Sequence, residues 1–258
     1  MVEEYFSTEL GRLYLGDALE FLRGLPDESV DLVLTDPPYN ISSDAKVVMK
    51  NHPKQKRSQD RYLTYDFGEW DHFKTEGEYF RFTRKWVREV YRILKPEGNF
   101  VSFYDSLNLY VLKKIWERLG GRPRQPLYWL KKNPKPRLRK VDFRVAVESM
   151  FWGAKSEKGH IFNWQLGQQD NYVVCAVFLN KERTGHPTQK PTPVLEPWIR
   201  YLSRLGGLVV DPFIGSGTTA VAAERLGRRW LGCDNNREYL DMAVKRLRPF
   251  KSQTKLEV

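Results

Sequence analysis

The sequence predicts an α/β protein built on a doubly wound, largely parallel sheet. Two short apolar runs, residues 30–35 and 208–210, have the composition of central strands that are buried on both faces. Amphipathic helical patterns separate the predicted strands, and this alternation is typical of such sheets. No apolar run approaches the ~20 residues that a membrane-spanning helix needs, so we expect no membrane partner.

The elements are predicted in chain order from hydrophobic periodicity and from turn residues. The first part predicts strands at 13–15, 30–35 and 99–104 and helices at 18–25, 76–94 and 107–119. Residues 41–70 show no sustained period and are predicted to form a long, mobile, basic loop. The last part predicts a helix with Thr192 as N-cap and Pro193 at its first position, then strand 208–210, helix 218–226, strand 229–233 and a helix to about residue 247, capped by Asn235 or Asn236.

Residues 122–185 differ in character, because prolines, basic residues and aromatic residues are mixed there without a clear period. Short strands are plausible at 126–130, 146–152 and 172–178. We interpret this region as an insertion that reads a target, although most of its aromatic residues would also suit a core. The chain then divides into residues 1–121 and 186–258, two halves of one domain, and the insertion 122–185.

The formal charge of +11 is concentrated in two blocks. Residues 122–158 hold eleven Lys/Arg against three Asp/Glu, and residues 44–61 hold six against two. This distribution favours a surface that faces phosphates over a merely solvated one, although acidic small molecules or a membrane surface also attract positive charge. The two cysteines have no metal-site or disulfide spacing, and residues 1–4 lack a secretory pattern, so we expect no metal and a reducing cytoplasm.

The stretch Asp36-Pro37-Pro38-Tyr39 directly follows the predicted strand 30–35. Prolines fix φ and offer carbonyl groups without N–H donors, and the first proline keeps Asp36 out of the α region. The free polar atoms of such a turn are acceptors, which suits an amino group whose lone pair must be directed at an electrophile. Tyr39 can stack on a planar base. The alternative is a structural Pro-Pro turn in which Tyr39 only packs.

The second stretch begins at Asp211 and places Gly215 and Gly217 between a strand and a helix. Glycines let the backbone approach a bulky ligand, and the helix that follows offers unpaired N–H groups. Asp234 ends the next predicted strand, where an acid can bind ribose hydroxyls. The third glycine of a dinucleotide fingerprint is missing, so a nucleoside is favoured over a pyrophosphate, and a dehydrogenase is disfavoured.

These residues resemble DNA amino-methyltransferases that use S-adenosylmethionine, and in particular the permuted β group, in which the catalytic motif precedes the cofactor motif. The resemblance covers nearly the whole chain and rests on six segments in the family's order: 15–18, 36–39, 129–134, 147–152, 186–191 and 211–217, with Asp234 following. It implies a Rossmann-like methyltransferase sheet. It implies the catalytic residues Asp36, Pro37, Pro38 and Tyr39, and the cofactor-binding residues Asp17, Ala18, Asp36, His186, Thr188, Lys190, Asp211, Phe213, Gly215, Gly217, Thr218, Asp234 and Asn235.

The resemblance also implies that a base flips out of duplex DNA and that its amino nitrogen attacks the methyl group in line. Asp at the first motif position leans towards adenine N6, with cytosine N4 as the alternative. RNA or protein amide targets and an inactive DNA-binding relative also remain open. Ring-carbon methylation is excluded, because neither Cys175 nor Cys233 follows a proline.

We expect double-stranded DNA as partner, with a cognate restriction endonuclease and a homodimer as further possibilities. The basic residues predicted to bind DNA are Lys54, Lys56, Arg57, Lys131, Lys132, Lys135, Arg137, Arg139 and Lys140.

Overall fold

The computed structural model describes residues 1–39, 43–48, 62–65, 73, 75–136, 141, 143–157, 159–177 and 182–251, with the backbone alone for 43–48 and 62–65. The chain divides into two compact units, a large one of Met1–Pro37 with Thr83–Val258 and a small one of Pro38–Phe82. Each unit is described by itself.

The described strands are β1 (Glu3–Ser7), β2 (Gly11–Leu15), β3 (Val30–Thr35), β4 (Ser43–Val48), β5 (Tyr62–Tyr65), β6 (Leu94–Tyr104), β7 (Arg122–Pro123), β8 (Leu127–Lys131), β9 (Val147–Ala154), β10 (Tyr172–Cys175), β11 (Leu208–Asp211) and β12 (Arg229–Asp234). The described helices are α1 (Ala18–Arg23), α2 (Glu76–Ile93), α3 (Leu109–Arg118), α4 (Thr192–Leu202), α5 (Thr218–Arg225) and α6 (Arg237–Lys251). None of these helices is long and apolar enough to cross a membrane.

One sheet organises the large unit, in the spatial order β1-β2-β12-β11-β3-β6-β9-β8-β10, with β7 paired to β9. Its five central strands, which are β2, β12, β11, β3 and β6 in spatial order, run parallel to one another. Beyond them, β9 is antiparallel to β6 and to β8, and β10 is parallel to β8. The carboxyl ends of β2, β12, β11, β3 and β6 therefore lie at one edge of the sheet.

The central strands are buried on both faces, as their apolar runs predict. Leu32, Val33 and Leu34 of β3 are inaccessible to solvent. Trp86 of α2 packs edge-on against Phe100 of β6, with ring centroids 5.7 Å apart. Burial of such rings is a large apolar contribution to the stability of this core.

The region 122–185 forms part of the same sheet, since it supplies β7, β8, β9 and β10. Its aromatic residues divide into two groups. Trp129 and Phe151 are buried in the core, and the Trp129 indole donates a hydrogen bond to the Cys175 carbonyl oxygen (3.0 Å). Phe143 and Trp164 are mostly exposed. The interpretation of these aromatic residues as core therefore holds for part of the set.

Several local predictions are wrong. The sequence does not predict β1, because its five residues are too few to show a clear alternation of apolar and polar side chains. The strand pairs with β2, and its Tyr5 and Phe6 are half-buried. The predicted loop 41–70 contains the antiparallel pair β4 and β5. β6 begins at Leu94, ahead of the predicted strand 99–104, and pairs there with Val30 through an irregular register.

Of the two predicted helix N-caps, the one at Thr192 is wrong and the one at Asn235 or Asn236 is confirmed. Pro191, not Thr192, is the N-cap of α4, because the Thr192 backbone N–H and hydroxyl both donate to Glu182 Oε2 (3.2 and 2.9 Å). Asn236 caps α6, since its Oδ1 accepts from the N–H groups of Glu238 and Tyr239 (2.9 and 3.3 Å).

Candidate active site

Three acidic residues lie at the carboxyl ends of neighbouring parallel strands. Asp36 follows β3, Asp211 ends β11 and Asp234 ends β12. Because β11 pairs in parallel with both β3 and β12, the three residues share one edge of the sheet. Ligands of open parallel sheets bind beyond this edge.

Asp211 ties the glycine-containing loop to the rest of the fold. Its Oδ1 accepts from the Thr35 hydroxyl (2.6 Å) and from the Phe213 N–H (3.1 Å), and its Oδ2 accepts from the Thr219 hydroxyl (2.6 Å). Burial raises the pKa of Asp211 to about 7, although the three hydrogen bonds act in the opposite direction. The side chain thus joins β3, the loop and α5, and Phe213 is set by this loop against Trp86 with ring centroids 5.6 Å apart.

The two glycines of this loop adopt conformations that other residues rarely adopt. Gly215 has φ +51° and Gly217 has φ +78°. A Cβ on Gly215 would lie 3.1 Å from His186 Nε2, and a Cβ on Gly217 would lie 2.8 Å from the Cβ of Ala243 in α6. The loop therefore runs close to the His186 imidazole on one side and to α6 on the other.

Asp234 is held against the same loop. Its Oδ2 accepts from the Gly215 N–H (2.9 Å) and its Oδ1 accepts from the Asn236 N–H (2.9 Å). Burial raises the pKa of Asp234 to about 6, opposed by the N–H groups of Asn236, Gly215 and Asn235. A carboxylate with further lone pairs at this edge can accept hydrogen bonds from a sugar.

Asp17 lies beside Asp234 because the Gly16 N–H donates to the Asp234 carbonyl oxygen (3.0 Å). The Asp17 side chain is the N-cap of α1, and its Oδ1 accepts from the N–H groups of Leu19 (2.9 Å) and Glu20 (3.0 Å). The cap fixes this exposed carboxylate at the edge of the site.

His186 is a neutral imidazole at physiological pH. Burial, together with the nearby charges of Lys190 and Arg246, lowers its pKa to about 4. Its Nδ1 accepts from the Thr188 N–H (3.3 Å), and its ring packs edge-on against Tyr239 with centroids 4.2 Å apart. The segment 186–191 therefore faces the glycine loop.

A nucleoside cofactor fits these residues. The glycine loop offers backbone without Cβ atoms, Asp234 offers a carboxylate at a strand end, and His186 adds an uncharged polar ring. The residues that would hold S-adenosylmethionine are Asp17, Ala18, His186, Gly215, Gly217, Asp234 and Asn235.

The Asp36 carboxylate sits in a row of charged groups next to this loop. Lys190 Nζ contacts Asp36 Oδ2 and lies 3.5 Å from Glu148 Oε2. Glu148 Oε1 in turn is 2.8 Å from Lys131 Nζ. Lys190 is buried, with its Nζ 4.8 Å from the centroid of the Phe103 ring. The rest of the motif divides between the units: Pro37 belongs to the large unit, whereas Pro38 and Tyr39 belong to the small unit.

A family model described as DNA methylase matches residues 30–245 of the chain. The chain belongs to this family of DNA methylases. It is 33% identical over 258 residues to the type II methyltransferase M2.LlaDCHI of Lactococcus lactis subsp. cremoris, covering 96% of this chain and 93% of the relative. It is 32% identical over 266 residues to the type II methyltransferase M.HinfI of Haemophilus influenzae, covering 97% and 72%.

Solved structures share the fold of this methylase. The PvuII DNA methyltransferase (cytosine-N4-specific) superimposes with a TM-score of 0.75 at 24% identity, covering 95% of this chain and 88% of that one. The complex of M1.HpyAVI with S-adenosylmethionine gives a TM-score of 0.71 at 24% identity, covering 92% and 98%. The predicted fold class is confirmed, and the chain is a DNA methyltransferase that depends on S-adenosylmethionine.

Two predicted cofactor residues of the methylase have other contacts. The Thr218 hydroxyl donates to the Lys190 carbonyl oxygen (2.9 Å) and accepts from Arg246 (2.9 Å), so it joins α5 to the segment before α4. The Lys190 ammonium pairs with Asp36 and Glu148. The structure thus brings Lys190 to Asp36.

The predicted DNA-binding residues are only partly described. Lys132 and Lys135 are exposed beyond β8, whereas Lys131 is half-buried and pairs with Glu148. Lys54, Lys56, Arg57, Arg137, Arg139 and Lys140 lie outside the described residues.

Sequence reasoning missed Glu148, Phe103 and Arg246. Glu148 lies in one of the family segments, and an acid at the start of an otherwise apolar strand was a signal for it. Arg246 carried no such signal, because a basic residue on an amphipathic helix usually faces solvent. Here it donates to the Ser216 carbonyl oxygen (2.9 Å), and burial lowers its pKa to about 10.

Proposed function

We propose that the methylase transfers a methyl group from S-adenosylmethionine to N6 of adenine in duplex DNA. The observation that carries this proposal is the position of the Asp36 carboxylate. Asp36 follows β3 and pairs with Lys190, and β3 is the neighbour of β11, the strand that leads into the glycine loop. The cofactor supplies an electrophilic methyl group on its sulfonium. The protein has to hold the amino nitrogen towards that methyl group and to exclude water.

Asp36 and Pro37 supply acceptors for the two hydrogens of an exocyclic amine. A carboxylate accepts only, and Pro37 offers a carbonyl group without an N–H. When both hydrogens are held, the nitrogen lone pair points out of the amine and forms the new N–C bond as the S–C bond breaks. The nitrogen then loses a proton to solvent. Positioning of this kind can supply ~7–11 kcal/mol of a barrier.

Cysteine chemistry on a ring carbon is not supported. Cys233 is inaccessible to solvent and Cys175 is nearly so. Burial raises the pKa of both thiols, so neither is a ready thiolate nucleophile. An amino group is therefore the favoured acceptor, and Asp at the first motif position favours adenine over cytosine N4.

We assign DNA contacts to the exposed basic residues that follow β8 and precede β9. Lys132, Lys135 and Arg144 are exposed there, together with the apolar Phe143. Basic side chains would hold phosphates, and the flipped base would stack on Tyr39. The region 122–185 would then read the target sequence.

The test uses methyl-labelled S-adenosylmethionine and unmethylated, amplified DNA of mixed sequence. After digestion to nucleosides, we expect label in N6-methyldeoxyadenosine. Label in N4-methyldeoxycytidine would overturn the choice of base but keep the amine chemistry. Cofactor binding without label would overturn the proposal and favour an RNA target or an inactive relative.

We propose further that the chain belongs to the permuted β group, since Asp36 precedes Asp211, and that it protects DNA from a cognate endonuclease, as the names of its type II relatives suggest. We also propose that the methylase is cytoplasmic and forms a homodimer. DNA from a host that expresses the methylase should resist one enzyme of a panel of restriction endonucleases. Sedimentation of the purified chain decides between monomer and dimer.

A further inference from the structure

Four charged side chains alternate in sign from the catalytic motif into the sheet. They are Asp36 after β3, Lys190 before α4, Glu148 on β9 and Lys131 at the end of β8. The contacts run in this order, with Lys190 Nζ 3.5 Å from Glu148 Oε2 and Lys131 Nζ 2.8 Å from Glu148 Oε1. The row brings together residues from four separate segments and has no net charge.

Lys190 is the most firmly held member of the row. Its side chain is 9% exposed, and its carbonyl oxygen accepts from the Thr218 hydroxyl (2.9 Å). Burial alone would lower the pKa of Lys190, but the carboxylates of Asp36 and Glu148 raise it above its ordinary value. The residue is therefore a buried ammonium at neutral pH.

A carboxylate that must accept a hydrogen bond from an amine becomes a weaker acceptor when it is protonated, because one of its oxygens then donates and the negative charge is lost. A neighbouring ammonium favours the ionised form and fixes one carboxylate oxygen. We propose that Lys190, held in place by Glu148, is a positioning residue that keeps Asp36 ionised and in one orientation for the target amino group. This proposal rests on the proposed role of Asp36 as the ligand of that amino group.

Among the described residues, Lys190 contacts the Asp36 carboxylate and also lies beside Glu148, and the charge of Asp36 contributes to the raised pKa of Asp211 on β11. Lys131 lies one contact further out. Of Lys190, Glu148 and Asp211, Lys190 is the cation, so its removal makes the summed charge of these groups more negative by one unit.

The competing role is a ligand of the cofactor, which the family resemblance implies for Lys190. That role predicts weaker cofactor binding when the ammonium is removed. The positioning role predicts an altered pH profile of methyl transfer with cofactor binding little changed. The two roles are therefore separable by measurement.

The experiment compares the full chain with Lys190→Met, which keeps an apolar side chain of similar length near Phe103. Single-turnover methyl transfer is measured with excess enzyme, labelled S-adenosylmethionine and amplified DNA of mixed sequence, from pH 5 to pH 9. Cofactor affinity is measured by calorimetry and stability by thermal unfolding. The matched control is Lys95→Met, because Lys95 Nζ also pairs with a buried carboxylate, that of Asp31 (2.9 Å), outside the site.

For Lys190→Met we expect the rate at pH 7 to fall about 10- to 100-fold and the acid limb of the pH profile to move up by about one pH unit or more. Cofactor affinity should change less than about twofold, well within the tenfold that 1.4 kcal/mol represents. For Lys95→Met we expect lower stability with an unmoved acid limb. A tenfold weaker cofactor affinity with an unmoved limb would assign Lys190 to the cofactor and overturn the proposal.

Two further variants keep the proposal testable if Lys190→Met does not fold. Lys190→Arg keeps the cation, and Glu148→Gln leaves the ammonium beside Asp36, so we expect slower transfer in both without an upward move of the acid limb. An upward move in either variant would overturn the proposal.

Asp36→Ala checks the underlying function. If this variant still transfers methyl groups, the proposed role of Asp36 is wrong. If it is inactive while Lys190→Met keeps the pH profile of the wild type, only the positioning role of Lys190 is refuted.

Discussion

Replacing Asp211 by asparagine measures what burial of this carboxylate costs the fold. The difference between the ordinary value of 3.8 and the raised pKa of about 7 corresponds to roughly 4 kcal/mol. Asparagine has nearly the same shape. Its oxygen can accept from the Thr35 hydroxyl and the Phe213 N–H, and its amide N–H can donate to the Thr219 hydroxyl, so the loop keeps its attachments.

The direction in which the free energy of unfolding changes with pH follows from proton binding. Folded Asp211 holds its proton more tightly than the unfolded chain does, so between pH 3.8 and about 7 the folded state binds more protons. Its contribution to the free energy of unfolding therefore falls as pH rises through this window and is constant above it. Asp211→Asn lacks this contribution. The variant should gain about 4 kcal/mol relative to the wild type between pH 4 and pH 8.

The assay is urea unfolding of the cofactor-free chain at several pH values, followed by tryptophan fluorescence. The raised pKa of Asp234, about 6, affects both proteins equally and cancels in the difference. Asp17→Asn is the control, because it also replaces one acid by its amide but at the exposed N-cap of α1, where no burial is involved. A stability difference between wild type and Asp211→Asn that does not change with pH would refute the reasoning, since hydrogen bonds would then offset burial completely.

Substitutions at the glycine loop, at Cys175 and at the basic residues after β8 also have definite expected outcomes. Gly215→Ala should lower stability by about 1 to 2 kcal/mol, because φ is +51°, and should weaken cofactor binding in calorimetry. Cys175→Ala should keep its methylation rate, and a loss of activity would revive thiolate chemistry. Replacing Lys132 or Lys135 by alanine should lower the slope of log affinity for DNA against log salt by about 1 for each lost phosphate contact, whereas Lys245→Ala on α6 should not.

The parts of the site that sequence could predict are local ones. An apolar run followed by an acid identifies a buried parallel strand and the edge that it reaches, and this holds for Asp36, Asp211 and Asp234. The role of Asp211 as an anchor of the loop was not readable, because its partner Thr35 lies 176 positions away. Lys190 and Asp36 are likewise separated by 154 positions, so their contact depends on the strand order.

Asp36 and Asp211 end up in opposite environments although they follow adjacent strands. Asp211 is surrounded by hydroxyl and N–H donors, and burial raises its pKa to about 7, so it carries a charge only part of the time at neutral pH. Asp36 faces a full positive charge on Lys190. Two ionised carboxylates side by side would repel each other, so protonation of Asp211 and the ammonium of Lys190 both favour a charge on Asp36. The fold thus concentrates negative charge on the one acid that precedes the two prolines, and it leaves the other acid to hold the loop.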